Sequence, residues 1–167
     1  FLFNTWPHDY ILSQKLADYV SAKGHRSVAV VGAEEVWVKE QTAAFVERFE
    51  KNGGRIVYRV EPLPGTVDLK TEALMIKKSG ADAMVSTTDG LIIGSLAAKS
   101  LRELGAKLPM YSITLDQAAI DASQGGFEGL EFLTFLTPAA EFKVEYQARF
   151  KAQIDIGADS AYDAVML

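Results

Sequence analysis

Apolar residues along the chain fall into short runs that alternate with amphipathic stretches. The clearest run opens the segment Ser27 to Trp37, SVAVVGAEEVW, in which small and β-branched residues continue without a polar interruption as far as Gly32. The chain then turns into an acidic loop with an aromatic residue at its tip. A short apolar run of this kind is typical of a strand that is buried on both faces, as the central strands of parallel sheets are. The pattern therefore predicts a central strand here, with a helix on either side along the chain.

The same alternation of strand and helix patterns continues to the end of the chain. Phe1 to Thr5 is a strand-like lead; helices are predicted at 9–23, 38–52, 68–79, 90–104, 115–123, 139–153 and from 160 onward, and further strands at 55–61, 83–87, 109–113 and 130–136. Such alternation produces parallel sheets with right-handed crossovers and helices on both faces. A β-sandwich would instead show strands about every 8–12 residues without helices between them. We therefore predict an α/β fold, a three-layer Rossmann-like lobe with a mostly parallel five-stranded sheet.

Composition and charge exclude several classes of protein. The 167 residues suit one domain that is large enough to bury a sizeable core. The net charge is −5 and the lysines and arginines are scattered, so the basic patch of a nucleic-acid-binding protein is missing. The longest uncharged apolar segment, GLIIGSLAA, is far shorter than the ~20 residues that a membrane-spanning helix needs. The chain starts at Phe1 without a methionine or a signal peptide, and we expect it to be a processed or truncated piece.

Candidate binding residues lie in the loops after strands one, three and four. In open parallel sheets, ligands bind beyond the carboxyl ends of the strands, where the strand order reverses. If strand one lies between strands two and three, these loops face each other. They supply an aromatic ring, hydroxyls and carboxylates, a set suited to a small solute: Glu35 and Trp37 after strand one, Thr88 and Asp89 after strand three, and Thr114 and Asp116 after strand four. Trp37 could stack on the solute or face an ammonium group, or it could only fasten the second helix to the lobe.

Catalytic and cofactor sites are not supported by the pattern. A dinucleotide site needs a glycine-rich turn after the first strand, and GAEEVW is acidic and bulky there. Gly94-Ser95 lacks the Gly-x-Ser-x-Gly elbow of serine hydrolases, and the two histidines, His8 and His25, are interpreted as solvated residues near helix ends. The absence of cysteine excludes disulfides and thiolate metal sites. We expect no cofactor, no metal ion and no enzymatic activity.

A phosphoacceptor receiver domain is the alternative that the residue positions come nearest to. Glu34 and Glu35 after strand one, Asp89 after strand three and Thr114 after strand four mimic its layout. Such a site also needs a lysine at the end of strand five to hold the phosphoryl group. The segment LEFLTFLTP has none, and Lys143 lies inside the next helix. The glutamates are therefore interpreted as solvated loop charges.

Several stretches together carry a resemblance to a known family. VAVVGAEEVW with its following helix, FEKNGGRIVYRVEPLPGTVDL, LRELGAKLPMYS and the closing SAYDAVML resemble, in order and spacing, the periplasmic substrate-binding proteins of branched-chain amino-acid type ABC transporters. The resemblance covers essentially the whole chain and implies the second lobe of the type I periplasmic binding fold of the Leu/Ile/Val-binding family. It implies a ligand-binding lobe at 1–137 and C-terminal helices at 138–167 that pack on a first lobe missing from this chain. The hinge crossings would then lie near Phe1 to Thr5 and Leu133 to Thr137.

The resemblance also implies a function and two departures from the family pattern. The family places an aromatic residue, usually tyrosine followed by glycine, at the tip after strand one, where this chain has Trp37-Val38. Amino-acid binders typically carry an acidic residue after strand four that pairs with the ligand ammonium, and the matching position here is Thr114, with Asp116 two residues on. The implied protein is a periplasmic or otherwise extracytoplasmic component of an ABC uptake transporter, with a membrane permease as its partner. Its solute would be amino-acid-like or an aromatic acid. A ligand-sensing domain of a receptor or regulator with the same fold is the second hypothesis.

Overall fold

The computed structural model describes residues 9–88, 92–135, 138–154 and 157–166, and within them it confirms the predicted alternation of strands and helices. The elements in chain order are α1 (Asp9–Ala22), β1 (Ser27–Val31), α2 (Val36–Lys51), β2 (Arg55–Val60), α3 (Lys70–Lys78), β3 (Ala83–Ser86), α4 (Ile93–Glu103), β4 (Met110–Ile113), α5 (Gln117–Ala122), β5 (Glu131–Leu133), α6 (Ala140–Phe150) and α7 (Ala158–Met166).

The five strands form one sheet in the order β2-β1-β3-β4-β5, and every neighbouring pair is parallel. This confirms the predicted fold class and places β1 between β2 and β3. In register, Val31 pairs with Ser86, and Ser86 pairs with Ser112. The strands β1, β3 and β4 therefore end at nearly the same level, and the loops that follow them leave from one edge of the sheet.

The core lies on both faces of β1, as its uninterrupted apolar run predicts. Val28 to Val31 have no exposed surface. Ala29 and Val31 pack in a buried cluster with apolar residues of α3 and α4. The chain crosses the sheet in one direction from β1 to β2, and in the opposite direction from β2 to β3 and from β3 to β4. Because crossovers are right-handed, α2 lies on the face opposite α3 and α4. There α2 packs along α1, and Phe45 and Phe49 stack with ring centroids 5.5 Å apart.

Several element ends differ from the sequence prediction. Helix α2 begins at Val36, two residues earlier than expected, and α3 begins at Lys70 because the Asp68 carboxylate accepts a hydrogen bond from the Lys70 amide and forms a turn before the helix. Strand β5 is shorter than predicted, at Glu131–Leu133. The predicted lead strand at Phe1 to Thr5, the predicted start of α4 at 90 and the end of the second hinge crossing at 136–137 lie outside the described residues.

Two compact units make up the described chain. The larger is Asp9–Thr134 and contains the sheet with α1 to α5, while the smaller contains α6 and α7. In the smaller unit the ring of Phe142 lies 5.4 Å from that of Tyr162, and α6 has no buried residue. Across the described ranges, every helix falls short of the length and apolar character that crossing a bilayer requires.

Candidate functional site

The candidate site lies at the carboxyl edge of the sheet, where the strand order reverses between β1 and β3. An open sheet of order 2-1-3-4-5 has its ligand crevice at this position. The loop after β1 contains Glu35 and leads into Trp37, the loop after β3 contains Thr88, and the loop after β4 contains Thr114 and Asp116. The topology thus brings five of the six predicted residues to one edge. The sixth, Asp89, lies outside the described residues.

Trp37 lies in the first turn of α2, not at the tip of a free loop as the sequence suggested. Its side chain is 40% exposed, and the preceding Val36 is 76% exposed. Glu35 takes the N-cap position of α2 with extended backbone, but its side chain makes no capping hydrogen bond. Glu34 forms an ion pair with Lys39. Part of the Trp37 surface is therefore buried, and the rest is exposed in the first turn of α2.

Thr88 has a structural role at the start of α4. The residue is 4% exposed, and its hydroxyl lies 2.9 Å from that of Ser86. The same oxygen accepts a hydrogen bond of 3.2 Å from the amide of Gly94, in the first turn of α4. A β-carbon at Gly94 would lie 2.3 Å from the Ser86 hydroxyl and 2.7 Å from that of Thr88, so this close approach requires glycine. The Thr88 hydroxyl therefore satisfies a helix amide at the edge of the site.

A layer of buried hydroxyls below the loops was missed by the sequence analysis. The hydroxyls of Thr42 and Thr87 lie 2.7 Å apart, and the Ser112 hydroxyl lies 3.3 Å from the backbone oxygen of Ser86 and 3.0 Å from that of Ile113, to one of which it donates its proton. All of these side chains are almost completely buried. A signal for Thr42 was present, because it is one of two polar residues, with Gln41, among the buried residues of α2. Paired hydroxyls in a dry layer fix side-chain positions, and they give the site a rigid floor.

Thr114 has the most unusual backbone of the predicted residues. Its φ is 30°, a left-handed value that costs free energy for a β-branched residue. The side chain is 4% exposed, and its hydroxyl has no hydrogen-bond partner among the described residues. The Thr114 amide donates a hydrogen bond of 2.8 Å to the backbone oxygen of Leu133 at the end of β5. A strained backbone and an unsatisfied buried hydroxyl are thus found together at the start of the loop after β4.

Asp116 is the N-cap of α5. Its carboxylate accepts a hydrogen bond of 2.6 Å from the amide of Ala119, and its backbone is extended, as N-cap residues are. The side chain is half-buried. The hydrogen bond to the start of α5 fixes the position of this carboxylate. A direct contact between Asp116 and a solute stays a prediction.

The opposite edge of the sheet corrects the interpretation of His25 as a solvated residue. The His25 side chain is only 16% exposed; its Nδ1 lies 3.2 Å from the Asp82 carboxylate, and its Nε2 lies 2.9 Å from the Tyr111 hydroxyl. Burial, and then the nearby charge of Glu131, raise the pKa of the Tyr111 phenol. Asp82 also accepts hydrogen bonds from the amides of Arg26 and Ser27. The imidazole is thus a structural link between the starts of β1, β3 and β4.

The described residues offer no metal-ion site, and a cavity among them lies outside the three loops of the candidate site. Within the described ranges, acidic and histidine side chains form no group of three or more that could hold a metal ion. A small cavity of about 110 Å³ lies between the start of α3 and the middle of α4, and its lining includes no residue of the loops after β1, β3 and β4. Its lining is Val67, Asp68, Leu69, Lys70, Leu96, Lys99, Ser100 and Glu103.

Comparison with known proteins gives one family and many similar structures. The sequence model of a family described as periplasmic binding protein matches residues 1–167. A structure described as a branched-chain amino acid ABC transporter from Rhodospirillum rubrum is 25% identical, with a TM-score of 0.88 over 98% of this chain and 49% of that chain. A leucine binding protein from Thermotoga maritima is 20% identical, with a TM-score of 0.82 over 95% of this chain and 48% of that chain.

A third similar structure was solved with a ligand. It is an ABC transporter solute binding protein from R. palustris in complex with 4-hydroxybenzoate, 23% identical, with a TM-score of 0.59 over 63% of this chain and 29% of that chain. The present chain spans about half the length of the first two structures, which it covers to 49% and 48%. No curated protein matches the sequence.

Proposed function

The chain belongs to the periplasmic binding protein family, as its sequence resemblance implied, and from this premise we propose that it is one lobe of the solute-binding component of an ABC uptake transporter. The whole protein would work outside the cytoplasm and deliver a small solute to a membrane permease. It would bind the solute between this lobe and a second lobe of similar size.

The observation that carries the proposal is the position of Trp37. It is the large aromatic side chain at the start of α2, next to the point where the strand order reverses, and 40% of its surface is exposed. An indole in this position offers a flat apolar surface to a small solute. The buried hydroxyls beneath it would keep the floor rigid, so that the solute meets a preformed surface.

A single lobe supplies only half of such a site. In two-lobed binders, closure surrounds the solute and removes water from its contacts on both sides. The apolar side chains on α6 and α7 support the proposal that residues 138–167 pack on the other lobe, since Val144 is 67% exposed, Phe150 58% and Val165 83%. Exposed apolar residues in such number on two short helices favour a covering partner.

For the solute, we propose a small amino-acid-like molecule or an aromatic acid, and we favour the aromatic acid. Thr114 stands where the family resemblance implies an acidic partner for an ammonium group, and a hydroxyl cannot neutralise an ammonium charge. Trp37 provides stacking area for an aromatic ring. The similar proteins named with leucine and 4-hydroxybenzoate give one test compound of each class.

Calorimetric titration tests both the function and the solute class. The protein with both lobes is titrated with leucine and with 4-hydroxybenzoate, and the 167-residue chain is titrated in parallel. We expect the two-lobed protein to bind one of the two, 4-hydroxybenzoate in the favoured case, and this chain alone to bind feebly. Sub-micromolar binding to the isolated chain would contradict the half-site.

A pair of variants then assigns the contact to Trp37. Trp37→Ala should lower the affinity by about 5- to 150-fold, because about 1–3 kcal/mol of stacking and apolar contact is lost. Val36→Ala is the matched control, since Val36 is the neighbouring and more exposed residue of the same turn. Equal affinities for the two variants would remove Trp37 from the site.

A further inference from the structure

Strand β5 connects the sheet to the rest of the chain. It is one of the two edge strands of the sheet, and among the described residues it pairs with β4 alone, through three residues from Glu131 to Leu133. The larger unit ends at Thr134, directly after this strand, and it begins at Asp9, the first residue of α1. The chain therefore leaves the larger unit from β5 and enters it through α1.

The first residue of β5 is fastened to α1 by its side chain. The Glu131 carboxylate accepts a hydrogen bond from the Tyr19 hydroxyl, and the ammonium of Lys23 lies 3.1 Å from Oε1 and 2.9 Å from Oε2. That ammonium also lies 5.2 Å from the centre of the Tyr19 ring. The hydrogen bonds from Tyr19 and Lys23 hold the pKa of Glu131 below its usual range, so the carboxylate is charged at neutral pH. An edge strand of three residues has few backbone hydrogen bonds, and the Glu131 side chain adds contacts with α1 that the pairing with β4 does not supply.

The last residue of β5 is fastened to the candidate site. The backbone oxygen of Leu133 accepts the hydrogen bond from the Thr114 amide. Thr114 has the strained left-handed backbone and opens the loop that ends at the Asp116 cap. This hydrogen bond therefore joins the start of the loop to Leu133, one residue before the last residue of the larger unit. Residues with strained backbone are frequent at ligand clamps and switches, where neighbouring contacts hold them in place.

We propose that β5 couples the solute loop at Thr114 to the chain crossing after Thr134, and that Glu131 is the positioning residue that holds the far end of β5 on α1. Solute contact with the loop after β4 is transmitted through the Thr114–Leu133 hydrogen bond to the crossing. Glu131 makes no contact with the solute in this scheme. The proposal rests on the proposed function for its biological meaning, but the coupling itself is a property of this chain.

Amide exchange in the 167-residue chain tests the coupling without any solute. Glu131→Ala removes the anchor, Glu131→Gln keeps an acceptor for Tyr19 but loses the charge opposite Lys23, and Glu128→Ala is the control at an exposed carboxylate of the preceding loop. We expect the Thr114 amide to exchange about two- to fivefold faster in Glu131→Ala and by an intermediate factor in Glu131→Gln. The amides of β1, and all amides in Glu128→Ala, should keep their wild-type rates.

Three results would overturn the coupling. Faster exchange confined to β5, with Thr114 unchanged, would make Glu131 a purely local anchor. An equal rise at Thr114 and in β1 would mean a general loss of stability, and Glu131→Gln, as the milder change, separates this case if Glu131→Ala does not fold. Unchanged exchange throughout would remove any role for Glu131.

The functional half of the inference is measured on the two-lobed protein with whichever solute it binds. Glu131→Ala should weaken solute affinity at least threefold, although the residue lies on the opposite edge of the sheet from the site, and Glu128→Ala should leave it unchanged. Wild-type affinity in Glu131→Ala would overturn the role of the coupling in binding. If the wild-type protein binds neither leucine nor 4-hydroxybenzoate, the proposed solute class fails while the exchange result still decides the coupling.

Discussion

Thr42 and Thr87 form a buried hydrogen bond of 2.7 Å between α2 and the end of β3. The Thr42 hydroxyl also donates to the backbone oxygen of Val38 at 2.9 Å, and a hydroxyl has one proton to give. Thr87 must therefore be the donor of the shared bond, and Thr42 its acceptor. This assignment fixes the donor and the acceptor in both hydrogen bonds. The shared bond joins α2, the helix that carries Trp37, to the end of β3.

Removing one hydroxyl of this pair should cost more than removing both. Thr42→Val keeps the shape but leaves the Thr87 hydroxyl buried without an acceptor, and we expect a loss of about 1–3 kcal/mol in the free energy of unfolding. The double variant Thr42→Val/Thr87→Val should recover part of that loss, because no unpaired donor remains. Urea denaturation of the two single variants and the double variant measures the coupling. Strictly additive losses would show that the hydroxyls do not act as a pair.

Gly126 allows the loop after α5 to lie against the backbone of α4. A β-carbon there would lie 2.5 Å from the Lys99 amide nitrogen and 2.8 Å from the Lys99 α-carbon, and a helix backbone cannot move aside. Gly126→Ala should lower the free energy of unfolding by about 1–3 kcal/mol. It should also weaken the hydrogen bonds of 3.2 Å and 2.7 Å that Arg102 donates to the backbone oxygens of Gly126 and Glu128. Thermal unfolding against Glu128→Ala as the control checks this, and equal melting temperatures would contradict the close approach.

The parallel five-stranded sheet followed from sequence periodicity because strand and helix patterns are local, whereas the central place of β1 was a condition on which the predicted site depended. An apolar run without polar interruption marks β1 as buried on both faces, and alternation with helices makes the sheet parallel. Once the strands are parallel, the loops after β1, β3 and β4 must share one edge. The glycine after the first helix also carried a local signal, since Gly24 has φ 94° at the end of α1.

The details of the site depended on contacts that are distant in sequence. Tyr19 and Glu131 are separated by 112 positions, and no local pattern links them. Thr114 is a β-branched residue, so a left-handed backbone would not be predicted for it; neighbouring contacts, including the hydrogen bond to Leu133, hold it there. Asp116 did carry a local signal, because an aspartate before the run QAAIDA is a typical N-cap. Asp116 was predicted as a ligand-binding residue on the basis of its charge, without regard to this capping role.

Acid should remove one stabilising contact between α1 and α2. The Arg48 guanidinium donates two hydrogen bonds to the Asp18 carboxylate, at 2.6 and 3.0 Å, and Asn52 donates a third. The Arg48 hydrogen bonds, followed by that of Asn52, lower the pKa of Asp18. A carboxyl whose pKa is lower in the folded state contributes stability above its unfolded pKa and loses it as the pH falls through the folded value.

The variant Asp18→Asn isolates this contribution. Wild type should be more stable than Asp18→Asn at neutral pH, and the difference should shrink as the pH is lowered through the acidic range, because the wild-type carboxyl becomes protonated. Urea denaturation over a series of pH values gives both curves. Glu47→Gln, an exposed carboxylate on α2, controls for net charge and should not reproduce the effect. A constant difference between wild type and Asp18→Asn at all pH values would contradict the assignment.

Replacing Thr114 with glycine should stabilise the fold, because the backbone conformation and the buried hydroxyl of Thr114 both cost free energy. Thr114→Gly relieves the strain at φ 30° and removes the buried hydroxyl that lacks a partner in the described structure; a gain of about 1 kcal/mol is expected after the greater chain entropy of glycine is subtracted. Thr114→Val keeps the β-branch and the strain but removes the unpaired hydroxyl, so it should also stabilise the fold, by less than Thr114→Gly if the strain is the main cost. Urea denaturation ranks the three proteins. If valine stabilised more than glycine, the unpaired hydroxyl rather than the backbone would be the main cost, and the strain at the start of the solute loop would lose its energetic basis.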